Sequence, residues 1–209
     1  MKTTLYFALV LCLILLGAAK SDTLRGVFAQ SSGSSDADSE YHKLARDIFR
    51  ELIEINTTST HGSTKAAEAM AVRLKSAGFP KSDIQVIGPD LQHENLVIRF
   101  RGSGKLKPLL FICHLDVVEA LRKDWSVDPF KFLEKDGYFY GRGTSDVKDD
   151  DASLVVNLIR LKKEGYTPNR DNIIALTADE EMGKANGVDW LVTNHRELID
   201  ADFCINPAL

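Results

Sequence analysis

Pro108–Asp116 reads PLLFICHLD, and this stretch decides the fold. Pro108–Cys113 is a continuous apolar run with no alternation, which predicts a strand covered on both faces. The run breaks into His114 and Asp116, two apart, so in extended chain the two side chains point the same way. Downstream, Asp151–Glu164 places Leu154, Val155, Leu158 and Leu161 on one helical face. Asn172–Thr177 (NIIALT) predicts a second buried strand, Asn186–Arg196 a helix, and Phe203–Ile205 the start of a further strand. Upstream, Leu44, Ile48, Leu52 and Ile55 give Tyr41–Asn56 an apolar helical stripe. Ser63–Gly78 repeats the pattern with Ala66, Met70 and Leu74, and Gly78 is a natural stop. Asp83–Ile87 reads as a short strand. Asn95–Arg101 (NLVIRFR) alternates, which predicts a half-exposed or edge strand. Strands alternating with helices indicate an α/β sheet with helices on both faces.

The rest of the chain sets limits on function. Its 209 residues are 44% hydrophobic and 27% charged, with a net charge of -4, the balance of a folded soluble protein with no electrostatic pull towards nucleic acid. Met1–Ala19 has Lys2, an apolar run Leu5–Leu16, and the small residues Gly17, Ala18 and Ala19, the three parts of a secretory signal. A second cut after Ala29 fits as well. Residues 1–19 are therefore expected to be a signal peptide, 20–38 (with SSGSSDADS) a flexible linker, and residues from 39 the folded part, secreted or periplasmic with no stable membrane anchor after cleavage. Cys113 and Cys204 lie in apolar strand-like runs and read as buried free thiols, with a single bridge as the alternative.

Three segments concentrate chemistry where buried strands end or helices begin, the place where open α/β sheets build their sites. His114 and Asp116 offer an imidazole with a carboxylate behind it. Gly141-Arg142-Gly143-Thr144-Ser145-Asp146-Val147-Lys148 is a glycine turn presenting Asp146, and it lacks the pattern of a phosphate loop. Thr177–Gly183 (TADEEMG) carries adjacent acids, Glu180 and Glu181. Each alone is as readily a solvated polar loop. Together they supply one imidazole and several carboxylates, a donor set that suits zinc, cobalt or manganese better than calcium.

HLDVVEA, the W-x-x-D-P-F of Trp125–Phe130, GRGTSDVK and TADEEMG resemble the aminoacylase and glutamate-carboxypeptidase family of di-zinc metallopeptidases, peptidase family M twenty. The resemblance runs from about Tyr41 to the last residue. It implies a three-layer α/β zinc-peptidase-like catalytic domain with a mostly parallel central sheet. It implies His114, Asp146 and Glu181 as metal ligands, with Asp146 bridging two zinc ions. Asp116 would orient His114, and Glu180 would be the general base for hydrolysis of a peptide or N-acyl amide bond, carboxypeptidase- or dipeptidase-like. Arg142 and Lys148 would support the loop.

Two departures from the family pattern accompany these matches. The family places a further acidic ligand a little under thirty residues beyond the Glu-Glu pair, and that count lands on Ala208. Asp202 is acidic but starts the strand, several residues too early. A late histidine ligand and an inserted domain carrying substrate and dimer contacts are not matched within 39–209. Asp150 stands where a small residue is usual. The expectation is an N-terminal part of the catalytic domain, incomplete at the C-terminus and inactive by itself. The alternative is a non-catalytic secreted protein that uses the same fold to bind or dimerise.

Overall fold

The computed structural model describes residues 34–207. The segment expected to be a signal and the linker up to residue 33 lie outside the described residues. Helix α1 spans Ser34–Glu54, so the last residues of the stretch read as linker are helical, ahead of the start expected at Ser39. Ser and Asp suit the first turn of a helix as well as they suit a linker. From Tyr41 onward the chain forms one compact unit.

Within that unit follow α2 (Thr64–Ser76), β1 (Ile84–Ile87), β2 (Asn95–Phe100), β3 (Leu106–His114), β4 (Leu133–Lys135), β5 (Tyr138–Tyr140), α3 (Lys148–Lys163), β6 (Arg170–Thr177), α4 (Gly187–Asn194), α5 (Arg196–Ile199) and β7 (Phe203–Ile205). The central sheet has the order β1-β2-β6-β3-β7. Strand β2 runs antiparallel to both its neighbours, whereas β6, β3 and β7 pair in parallel. Four of the five strands therefore share one direction, and the sheet is mostly parallel.

Period-two alternation divides the sheet's side chains between two cores. Leu96, Ile98, Phe100, Ile174 and Leu176 pack with Ile48, Leu52, Met70, Leu74, Val155 and Leu158 of α1, α2 and α3. Val97, Leu110, Ile173 and Ala175 face the other way, onto Leu191 and Ile199 of α4 and α5. Helices thus cover both faces, giving three layers.

Three local expectations are corrected. Strand β2 is interior, not an edge, and Leu96, Val97 and Ile98 are all buried. Its one mid-strand charge misleads: Arg99 is matched by Asp171 at 3.2 Å and donates to the carbonyls of Glu197 and Leu198. The helix expected over 186–196 ends at Asn194, and α5 restarts after His195, whose φ of -142° and ψ of 41° fall outside the helical range. Cys113 is buried, but Cys204 is exposed on β7, and both are free thiols. The register pairs Cys204 with Leu110, three positions short of Cys113.

The β4–β5 hairpin was not foreseen. Asp136 and Gly137 have φ of 53° and 81°, the paired positive values of a tight hairpin turn, and an Asp-Gly between two short strand-like runs is its sequence signature.

Candidate functional site

Strands β3 and β6 are parallel, and their register pairs His114 with Thr177, so both finish side by side. Their exits are stitched together. Leu115 N–H donates to Thr177 O (2.7 Å), and the Thr177 hydroxyl donates to Cys113 O (3.0 Å). Thr57, just beyond α1, donates its hydroxyl to Leu115 O (2.7 Å) and accepts Val117 N–H at its carbonyl (3.2 Å). The loops after β3 and β6 therefore start from fixed points at the carboxyl end of the sheet.

His114 is 5% exposed. Its Nδ1 lies 3.1 Å from the carbonyl oxygen of Asp116. With the proton on Nδ1, that contact leaves the Nε2 lone pair facing outward. Nε2 sits 3.2 Å from Asp146 Oδ1 and 4.0 Å from Glu180 Oε2. The Asp116 carboxylate, 3.7 Å from Nδ1, serves a second purpose. Its Oδ1 accepts Glu180 N–H and its Oδ2 accepts Glu181 N–H, each at 3.0 Å. One buried carboxylate thus ties the histidine segment to the acid pair.

Asp146 is presented by the glycine turn. At Gly143 (φ 83°) a Cβ would lie 2.8 Å from Val117 Cγ1, so the turn has no room for a side chain. Arg142 donates its backbone N–H to Pro129 O and lays its guanidinium over the Trp125 ring at 5.1 Å. Lys148 is fully buried, and its Nζ donates to Leu52 O (2.7 Å) and Ile55 O (3.0 Å) at the end of α1. Burial depresses this ammonium to about 8, against the opposing pull of Asp151 and Asp116. Its place is structural, clamping the turn to α1. Asp150 lies in the first turn of α3, its N–H on Val147 O.

The sequence-selected residues His114, Asp116, Asp146, Glu180 and Glu181 all meet here. His114, Glu180 and Glu181 can each offer one ligand atom within 4.8 Å of the others. Burial, then repulsion from Asp146, Glu180 and Asp116, pushes the Glu181 carboxyl up against the opposing effect of His114. Crowded acids around one imidazole nitrogen are the electrostatics of a cation site, and the donor set fits a divalent transition metal.

Asp202 does not join them. It sits beside the start of β3, its N–H on Pro108 O and its carboxylate 4.0 Å from Lys107 Nζ. His114 lies six positions along β3 from Pro108, roughly 20 Å at about 3.3 Å per residue. Phe111 pairs with Ile205, the last residue of β7. Ala208 itself lies outside the described residues.

Sequence reasoning assigned no role to Thr57, Asn95 or Asp179. Asn95, fully buried, accepts Ala178 N–H (2.9 Å) and donates to Ile87 O (2.9 Å). A Cβ on Gly187 would lie 1.8 Å from its Oδ1. The only advance signal for Asp179 was a third acid beside the Glu-Glu pair.

A buried imidazole and converging carboxylates thus lie at the carboxyl ends of parallel strands, between helical layers, an arrangement able to hold a divalent cation. Residues 110–208 match the family model described as Peptidase family M20/M25/M40. The N-fatty-acyl-amino acid synthase/hydrolase PM20D1 of Xenopus tropicalis is 38% identical over 162 residues, covering 72% of this chain and 32% of that protein. Aminoacylase-1 of Sus scrofa is 30% identical, covering 78% and 40%. The solved M20 family metallo-carboxypeptidase Sso-CP2 from Sulfolobus solfataricus superposes with a TM-score of 0.65 at 21% identity, covering 78% of this chain and 36% of that one. The chain belongs to the M20 peptidase family, a family of enzymes. It spans about a third of the length of the curated relatives it matches.

Proposed function

We propose that this chain contributes half of a metal-dependent amide hydrolase site, acting on a peptide or N-acyl amino acid once the catalytic domain is complete. The observation that carries the proposal is the cluster itself: His114, Glu180 and Glu181 within 4.8 Å, with Asp146 3.2 Å from His114 Nε2. His114, Asp146 and Glu181 would hold the metal. Zinc, when bound, supplies Lewis acidity that acidifies water and polarises the scissile carbonyl; cobalt and manganese suit the same donors. Glu180 takes the proton of the attacking water and returns it to the leaving amine. Asp116 holds His114 through its carbonyl and the acid pair through its carboxylate. The signal-like Met1–Ala19 supports a secreted location, and no described helix is long and apolar enough to cross a membrane.

The test is calorimetric titration of the chain with zinc or cobalt, paired with Glu180→Ala in a form carrying the whole catalytic domain. Divalent metal should bind at micromolar concentrations, and the variant should lose turnover by a factor of at least about 100 while keeping metal. A variant with full turnover removes Glu180 from the base role, and absence of metal binding removes the site. A second reading, a binding or dimerising protein on this fold, draws on β7, where Phe203 and Ile205 are exposed. A monodisperse monomer in size-exclusion chromatography would count against it.

A further inference from the structure

We infer that Asp179 is the positioning residue that gives the Glu180–Glu181 pair its direction, pre-forming the acidic half of the site before any metal arrives. The inference rests on the proposed metal site and concerns how its ligands are held.

Asp179 is the second residue beyond β6, 2% exposed, with φ of 53°. Left-handed backbone is costly for most side chains and tolerated best by Gly, Asn and Asp. At this point the chain leaves the sheet direction and turns back on itself. The two polar ends of Asp179 then hold the turn from inside. Its carbonyl accepts Gly183 N–H at 3.0 Å, where Gly183 is itself left-handed (φ 68°), and its Oδ2 accepts Ala185 N–H. Just outside, Ala178 is pinned on both sides, its N–H to Asn95 Oδ1 and its carbonyl to Gly187 N–H (2.8 Å).

Asp116 completes the arrangement by taking the N–H groups of Glu180 and Glu181. Four N–H groups of one loop, those of 180, 181, 183 and 185, therefore end on two aspartates. Neither aspartate is needed as a metal ligand for this.

Electrostatics sharpens the point. A turn alone would be served by Gly, without adding a third carboxylate beside Glu180 and Glu181. Asp179 also supplies an acceptor for Ala185 N–H, which no glycine side chain can offer. Asp179 thus acts through Glu180 and Glu181, and its loss should loosen ligands without unfolding the sheet.

The experiment compares Asp179→Asn, Asp179→Gly and Asp179→Ala in the full chain. Cobalt binding is read by titration and by the visible absorption of the bound ion, alongside amide hydrogen exchange at Glu180 and Glu181 without metal. Asn keeps both the acceptor and the left-handed preference, and should bind cobalt within about threefold of the unaltered chain. Gly keeps only the backbone, and Ala keeps neither. Ala should bind about 10- to 100-fold more weakly, the cost typical of losing an outer support of a metal ligand, with Gly between. Glu180 and Glu181 amides should be protected in the unaltered chain and in Asn, and exposed in Ala. Equal cobalt affinity and equal protection in Ala and the unaltered chain overturn the inference. Should Ala fail to fold, Gly against Asn decides it by the same readouts. If the unaltered chain binds no cobalt, the metal-site reading fails, while the exchange pattern still judges the positioning of the loop.

Discussion

Asp151 has no exposed surface, and neither of its carboxylate oxygens has a hydrogen-bond partner. Burial pushes its carboxyl well above the ordinary range, against the pull of Lys148, and Asp149, Asp150 and Asp116 push the same way as burial. The folded chain therefore binds this proton more tightly than the unfolded one. Its contribution is favourable below the ordinary carboxylate value, about 3.9, and is lost as pH rises from there towards the folded value. Leucine has nearly the same shape and no charge. Asp151→Leu should raise stability at pH 7 by about 1–3 kcal/mol in urea denaturation and flatten its dependence above pH 4. A variant less stable at neutral pH would show that the carboxyl has a compensating role. His114, Glu180 and Glu181 were legible in the sequence because reactive residues interrupt strong apolar runs. Asp151 was not, since an acid in the first turn of a helix reads as ordinary dipole pairing.

At the scale of elements, β3, β6 and α3 announced themselves through length and apolar periodicity. Strand β2 misled because Arg99 mimics an outward-facing position, and only the tertiary partner Asp171 shows otherwise. The hairpin of β4 and β5 escaped notice because its strands are three residues each, too short for alternation to register. The junction of β2 with α4 was invisible for another reason: Asn95 and Gly187 are far apart in the chain, yet each requires the other. A methyl group at Gly187 would collide with Asn95 Oδ1 and with Ala178 N at 2.8 Å. Gly187→Ala should therefore cost about 2–3 kcal/mol by overpacking and displace the loop ahead of it. Thermal denaturation and cobalt titration of the variant read the two effects; an unchanged melting temperature would argue that the junction yields freely.

On the scale of the molecule, the unit from Tyr41 has its acidic half-site at one end of the sheet and β7 along one side. Among the described residues β7 pairs only with β3, and its Phe203 and Ile205 are 63% and 45% exposed. Unpaired strand edges with apolar side chains invite pairing with another chain. Phe203→Lys with Ile205→Lys should reduce self-association of this 209-residue chain, measured by sedimentation velocity, while leaving its circular dichroism unchanged. Equal association in both would place the contact elsewhere. Helices on both faces were legible from the alternation of strand and helix, whereas strand order was not, because β6 inserts between β2 and β3 through pairings remote in sequence.

The burial of Lys148 makes it a built-in clock. Its amine is spent on the carbonyls of Leu52 and Ile55 with no surface left for a reagent. In the native chain, acylation by an amine-reactive ester should mark solvent-facing lysines such as Lys107 within minutes and spare Lys148, which is labelled only as often as the end of α1 lifts from the turn before α3. Mass spectrometry of the labelled peptides would then time that opening directly, and a Lys148 modified as fast as Lys107 would mean that the clamp is open in solution.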